Sequence, residues 1–170
     1  MVTILAAQVA NADGSAVLLT TSEAGAVLAS AERAALWAAL QAWVANGGVI
    51  AAQPLNPLKE AARARINAAR DAAIASGVTF GGVLYDSDPA SREALTATLT
   101  VLQPVGAVPP GFTWRAADNT DHALTLAQLQ GLAAAMLDHG YAQHLQARHK
   151  KALIEAAQSA AEIDAVTWGG

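Results

Sequence analysis

The residues best suited to chemistry are concentrated in one stretch, residues 112–125, which reads FTWRAADNTDHALT. Asp118, Asp121 and His122 lie within five positions of each other, and carboxylates beside an imidazole are the groups that general acid–base catalysis uses. The same residue types also build turns, because Asn and Asp side chains bond to nearby backbone and tolerate left-handed geometry. The stretch is therefore either a candidate active site or a structural turn that leads into a helix.

The spacing around this stretch favours the structural interpretation. Phe112 and Trp114 alternate with polar or charged neighbours, as in a β-strand. We expect a hairpin whose turn is shaped by Asp118, Asn119 and Asp121. Thr125 and Gln128 then fit a capping box that begins a long helix, about residues 126–156. A ligand or partner contact by the stretch remains an alternative.

Other candidate sites lack the spacing that their chemistry needs. His139, His144 and His149 are five residues apart, so successive side chains are about 140° apart on a helix, whereas helical zinc ligands are four residues apart. The chain has no cysteine, and neither a phosphate-binding glycine loop nor a nucleophile elbow occurs. No EF-hand pattern follows Asp86 and Asp88. We predict no metal, no cofactor and no enzymatic activity. A small glycan hydrolase would require two carboxylates to meet in space, from the set Asp86, Asp88, Asp118 and Asp121.

Composition excludes further classes of function. The 170-residue chain has a net charge of −4, which argues against nucleic-acid binding, because that needs clustered Lys and Arg. Residues 148–151 are basic but fit a solvated helix face. Residues 34–55 carry no charge, yet Gln41, Asn46 and two glycines interrupt them, so we expect no membrane span. The many alanines predict a mostly helical protein with a small core, which favours oligomerisation.

The N-terminal part is predicted to be a hairpin followed by a helix. Residues 2–9 and 16–20 resemble strands joined by a turn at Asp13-Gly14, and a helix should run from a Ser30 cap to Gly47. A two-stranded hairpin is marginal in isolation and could hardly bury two tryptophans of that helix. Either the C-terminal domain covers them or a partner does. We predict a partner-binding stripe formed by Leu36, Trp37, Leu40, Trp43 and Val44.

The sequence after the first helix indicates a second domain. A proline-bearing linker (51–58) separates a 1–57 module from a 58–170 domain, and helices should end at Gly77 and begin after Asp88. Parts of 79–85, 112–116 and 122–125 should form a small antiparallel sheet. The predicted fold class is helix-dominated α+β: an N-terminal hairpin plus helix, then a helical domain with that sheet and a long C-terminal helix.

From about residue 63 the sequence resembles a phage and prophage family, DUF4376. Four stretches carry the resemblance: RARINAARDAAIASGVTFGGVLYDSDPASREALTATL, FTWRAADNTDHALTLAQLQGLAAAM, HLQARHKKALIEAA and SAAEIDAVTW. Their order is Y-D-x-D-x-x-S, W-x-x-A-D-N, L-T, a long helix, and a capped helix followed by Trp. The resemblance transfers no catalytic residue.

The resemblance implies a non-enzymatic structural protein of a phage tail, tail fibre or baseplate. Such a protein is made in the bacterial host cytoplasm and resides in the virion, where its partners are other tail proteins and further copies of itself. A trimer is the expectation from fibre-like relatives, and the host cell surface is a further candidate partner. The alternative is a tail-fibre assembly chaperone that is absent from the virion.

Overall fold

The computed structural model describes residues 3–11, 15–23 and 25–169, and it confirms the helix-dominated α+β class. The helices are α1 (Ala34–Ala45), α2 (Leu55–Ala75), α3 (Pro89–Val105), α4 (Leu126–Ala156) and α5 (Ala160–Ala165). The strands are β1 (Ile4–Val9), β2 (Ala16–Thr21), β3 (Gly25–Ser30), β4 (Ile50–Ala51), β5 (Val78–Phe80), β6 (Val83–Tyr85), β7 (Trp114–Arg115) and β8 (Asp121–His122). No helix of the described residues combines the length and apolar character that crossing a bilayer requires.

The chain divides into two compact units, which we describe separately. One contains residues 1–63 with 153–168, and the other contains residues 64–152. The predicted division at residues 57 and 58 was drawn from the linker and remains a prediction. In the first unit, Lys59 Nζ donates to the backbone carbonyl of Glu155 at 2.7 Å, and Arg63 pairs with the Glu155 carboxylate. These contacts join the first turns of α2 to the end of α4.

The N-terminal strands form a four-stranded sheet in the order β3-β2-β1-β4. The predicted hairpin is present as the antiparallel pair β1–β2, and β4 adds to β1 in parallel. The turn predicted at Asp13-Gly14 lies outside the described residues. Strand β3 was not expected. The predicted Ser30 cap of α1 is wrong, because Ser30 is the last residue of β3 and α1 begins at Ala34 without a side-chain cap. The N-terminal part therefore contains a four-stranded sheet in place of the predicted two-stranded hairpin, and this sheet has a core of its own.

That core lies between one face of the sheet and α1. Its buried members alternate along the strands, as a half-buried sheet requires: Ile4, Ala7, Val17, Leu19, Ala29 and, from α1, Leu40. The helix ends as predicted, since Gly47 follows the C-cap residue Asn46 with φ of 92°. Leu36, Trp37, Ala39 and Trp43 pack against this core while remaining partly exposed.

The helices of the second unit begin and end where the sequence indicated. Asp88 caps α3 by accepting from the backbone N–H groups of Ala90 and Ser91, at 2.8 and 3.2 Å. Thr125 and Gln128 form the predicted capping box of α4: each backbone N–H donates to the other residue's side-chain oxygen. Gly77, with φ of 101°, follows the end of α2. Helix boundaries were therefore readable from cap chemistry.

The predicted single sheet of residues 79–85, 112–116 and 122–125 is two separate two-stranded ladders. Residues 78–85 are a hairpin, β5–β6, because Gly81 and Gly82 both take positive φ angles and reverse the chain. Strands β7 and β8 form the second ladder, with Trp114 opposite His122. A backbone hydrogen bond from the Ala117 N–H to the Leu84 carbonyl, at 2.9 Å, connects the two ladders without extending either.

The ladders pack with α3 and α4 around the core of the second unit. The buried members come from every one of these elements or their flanking loops: Val78, Tyr85, Leu95, Leu102, Ala116, Leu124, Leu129, Leu132 and Met136. Gly131 permits close packing here, because a Cβ at this position would lie 2.8 Å from a Phe80 ring carbon and the ring would have to shift. The buried Ser87 hydroxyl donates to the Ile74 carbonyl at the end of α2.

Candidate partner-binding surfaces

The stretch 112–125 is a hairpin whose polar groups bond mainly to one another. Asp118 Oδ1 accepts from both the backbone N–H and the hydroxyl of Thr120, at 2.9 and 2.6 Å. Asn119 takes the left-handed conformation, with φ of 66°. Asp121 pairs with Arg115 at 3.2 Å across the ladder and does not shape the turn. The predicted turn is confirmed, with Thr120 in the role expected of Asp121.

The order of groups in this turn differs from that of a hydrolytic triad. The Thr120 hydroxyl lies between the Asp118 carboxylate and His122 Nε2, which is 2.9 Å away. Because the single hydroxyl proton is donated to Asp118, His122 must donate to Thr120 through an Nε2 proton. A catalytic imidazole would instead accept the hydroxyl proton. The Thr120 bonds also lower the pKa of Asp118, with a smaller contribution from the charge of His122.

The four carboxylates considered for glycan hydrolysis have different surroundings, and Asp86 is exposed. Asp118 lines a pocket of about 420 Å³ whose other walls include Gly82, Leu84 and His122. Asp88 is bound to the first turn of α3, where the Ser91 hydroxyl and backbone lower its pKa. Asp121 bonds to Arg115. Of the four, Asp118 is the one that lines this pocket.

The three histidines of α4 have separate environments. His139 donates to the Ala73 carbonyl at 2.9 Å, His144 lines a cleft beside α3, and His149 is exposed. Throughout the described ranges, no three His, Cys, Asp or Glu side chains are grouped so that they could hold a metal ion.

The five residues of the predicted partner-binding stripe are all on α1 but differ in exposure. Leu40 is buried against the sheet, whereas Leu36, Trp37 and Trp43 are half-buried. Val44 is 41% exposed. Trp43 also covers Gly48, where an added Cβ would overlap its ring carbons. The four-stranded sheet therefore takes up part of the apolar surface that the sequence assigned to a partner.

A shallow groove of about 490 Å³ remains beside α1. Leu36, Ala39 and Trp43 form its apolar wall, and Ile4 of β1 contributes to the other side. Two members of the predicted stripe thus line a surface that is open to solvent. Whether a partner occupies it remains a prediction.

The opposite face of the sheet is a surface that the sequence analysis missed. Leu5, Leu18 and Leu28 are 62%, 40% and 45% exposed, and Leu18 lies directly opposite Leu28 in the β2–β3 register. The signal was present in the run Val17-Leu18-Leu19, because adjacent strand residues point to opposite faces. Strand β3 is also an edge without a charged residue, and edges of this kind accept further strands.

Helix α4 exposes a third apolar surface. Leu129 and Met136 of this helix are buried, whereas Leu137, Tyr141 and Leu145 are 73%, 62% and 41% exposed. A cleft of about 340 Å³ lies beside these residues, between α3 and α4. The α4 pattern is apolar on more than one face, so periodicity alone could not identify the buried half.

The family model described as a domain of unknown function, DUF4376, matches residues 57–167. Searches of curated proteins and of solved structures gave no match.

Proposed function

The chain belongs to the DUF4376 family, and we propose that it is a non-enzymatic structural protein of a bacteriophage tail, tail fibre or baseplate. It is made in the cytoplasm of the bacterial host and acts in the virion through protein–protein contacts. Its partners are other tail proteins and further copies of itself, three being the number expected of a fibre. The phage setting of this proposal comes from the sequence resemblance.

The observation that supports action through protein contacts is the exposed apolar surface of the N-terminal sheet. Leu5, Leu18 and Leu28 point away from the core, beside an uncharged edge strand. Large exposed apolar patches usually mark protein or membrane interaction sites. The open groove along α1 adds the indole of Trp43 on the helical side, and tryptophan is common among interface hot spots. The N-terminal module is therefore the proposed attachment surface.

Light scattering and chemical cross-linking of the full chain test this attachment surface. We expect Trp43→Ala and Val44→Glu on α1, and Leu18→Glu on the exposed face of the sheet, to reduce the assembled fraction, while circular dichroism shows that the helices remain folded. Val101→Glu is the matched control, since Val101 is an exposed valine of the second unit. Normal assembly of the two α1 variants and of Leu18→Glu would refute the attachment role of the N-terminal module. Val44→Glu keeps the test decisive if loss of the Trp43 indole unfolds the sheet, because Val44 is exposed and its substitution leaves the indole in place.

A further inference from the structure

The cleft between α3 and α4 has features of a binding site that the fold itself does not need. Its floor is apolar, with Leu95 of α3 and Met136 of α4 both buried. Gly140 lies in the same wall, and a Cβ placed there would meet no atom within 4 Å. Packing within the chain therefore does not require glycine in the middle of this helix. Its absent side chain leaves the cleft open.

The cleft also holds a buried hydrogen-bond donor, one nitrogen of the Arg92 guanidinium. Arg92 Nε is buried and has no hydrogen-bond partner among the described residues. A buried donor without an acceptor is destabilising, and more so when it is charged. Within the described ranges no carboxylate lines the cleft, and its other polar side chains are Thr96, Tyr141 and His144. A ligand that brings an acidic group to Arg92 and an apolar group to the floor of the cleft would satisfy both features.

The charge and the apolar surface both continue beyond the cleft. Tyr141 and His144 also line a neighbouring groove with Arg70, Arg148 and Lys151, of which Arg70 is paired with Asp71 at 2.7 Å. The exposed Leu137, Tyr141 and Leu145 follow i, i+4, i+8 spacing, so they extend over about 12 Å of helix at 1.5 Å per residue. An elongated occupant fits this surface better than a compact small molecule does.

We propose that this cleft binds an amphipathic helical segment of a partner protein, with a carboxylate that bonds to Arg92 and a leucine-sized side chain that fills the space beside Gly140. Apolar residues of the segment pack along Leu137, Tyr141 and Leu145, and its acidic residues face the basic groove. Laying an apolar helix face into a groove is a common mode of peptide recognition. The inference rests on the proposed function only in taking the occupant to be a protein.

The test uses designed peptides, so that its result does not depend on a phage setting. The probe is a labelled 14-residue helical peptide with leucine at i, i+4 and i+8 positions flanked by glutamates, and its counterpart has lysine for each glutamate. Fluorescence anisotropy with the full chain should show at least tenfold tighter binding of the acidic peptide. We expect Arg92→Gln and Gly140→Leu each to weaken that binding at least tenfold.

Controls separate the cleft from general charge and from folding. Lys150→Gln removes a positive charge of α4 that lines neither groove, and it should change the affinity less than twofold. Thermal melting should show that Arg92→Gln and Gly140→Leu are folded. The proposal is overturned if neither peptide binds, if both bind equally, or if the two cleft variants bind like wild type. A fatty acid, dodecanoate, is the third probe. The proposal is also overturned if dodecanoate binds in an Arg92-dependent manner while the acidic peptide does not bind. None of these results bears on the proposed tail function, which is tested separately in purified virions.

Discussion

At the scale of single residues, side-chain oxygens fix the turns and the helix ends of the second unit. Asp88, Asp118 and Thr125 each accept hydrogen bonds from backbone N–H groups two or three positions ahead. These bonds were predictable because they are local in sequence. Arg92 and Gly140 were not, since their roles depend on how α3 and α4 pack together.

The bonds to Asp88 and Asp118 predict a loss of stability in acid. Both carboxyls have lowered pKa values in the folded chain, so their stabilisation is present above the ordinary pKa, about 3.9, and is lost as pH falls through the lowered value. We expect Asp88→Asn and Asp118→Asn to reduce the fall in urea midpoint between about pH 5 and about pH 2.5. An equal fall in wild type and both variants would contradict this explanation.

Glycine substitutions should have opposite effects in the two units. Gly48→Ala forces its new Cβ into the Trp43 ring, and overpacking of this kind costs about 1–3 kcal/mol. Gly140→Ala meets open space inside a helix and should stabilise the chain by up to about 1 kcal/mol. Urea unfolding measures both values, and tryptophan fluorescence reports movement of the indole. Unchanged stability and fluorescence in Gly48→Ala would show that Trp43 does not rest on Gly48.

At the scale of elements, local signals predicted helices better than strands. The caps at Asp88, Thr125 and Gly77 placed three helix boundaries. Strand pairing is set by partners distant in sequence, so β3 was missed and two ladders were taken as one sheet. The half-exposed stripe of α4 has the same cause: the sequence shows that it is apolar, while tertiary packing determines which part is covered.

The capping box of α4 gives a test at this scale. Thr125→Ala removes the oxygen that accepts from the Gln128 N–H, and loss of an N-cap costs about 1 kcal/mol. Thr125→Ser retains the hydroxyl and should remain close to wild type. Urea denaturation followed by circular dichroism compares the three proteins. Equal destabilisation by Ala and Ser would assign the effect to the lost methyl group.

At the scale of the whole molecule, we expect the segment between the N-terminal sheet and α2 to be sensitive to proteolysis. Residues 52–54 lie between β4 and the first turn of α2 and contain Pro54. Limited proteolysis of the free chain should cut here before it cuts within the sheet or the long helices. Mass spectrometry of the fragments locates the cut. Protection of this segment equal to that of α4 would count against a separable N-terminal module.

We propose that this chain is a structural part of a phage tail. Quantitative mass spectrometry of gradient-purified virions of the encoding phage tests it most directly. We expect the chain to be present at a fixed ratio to the tail proteins and to remain bound after a high-salt wash. Its abundance in the lysate but absence from purified virions would contradict the claim and indicate an assembly chaperone.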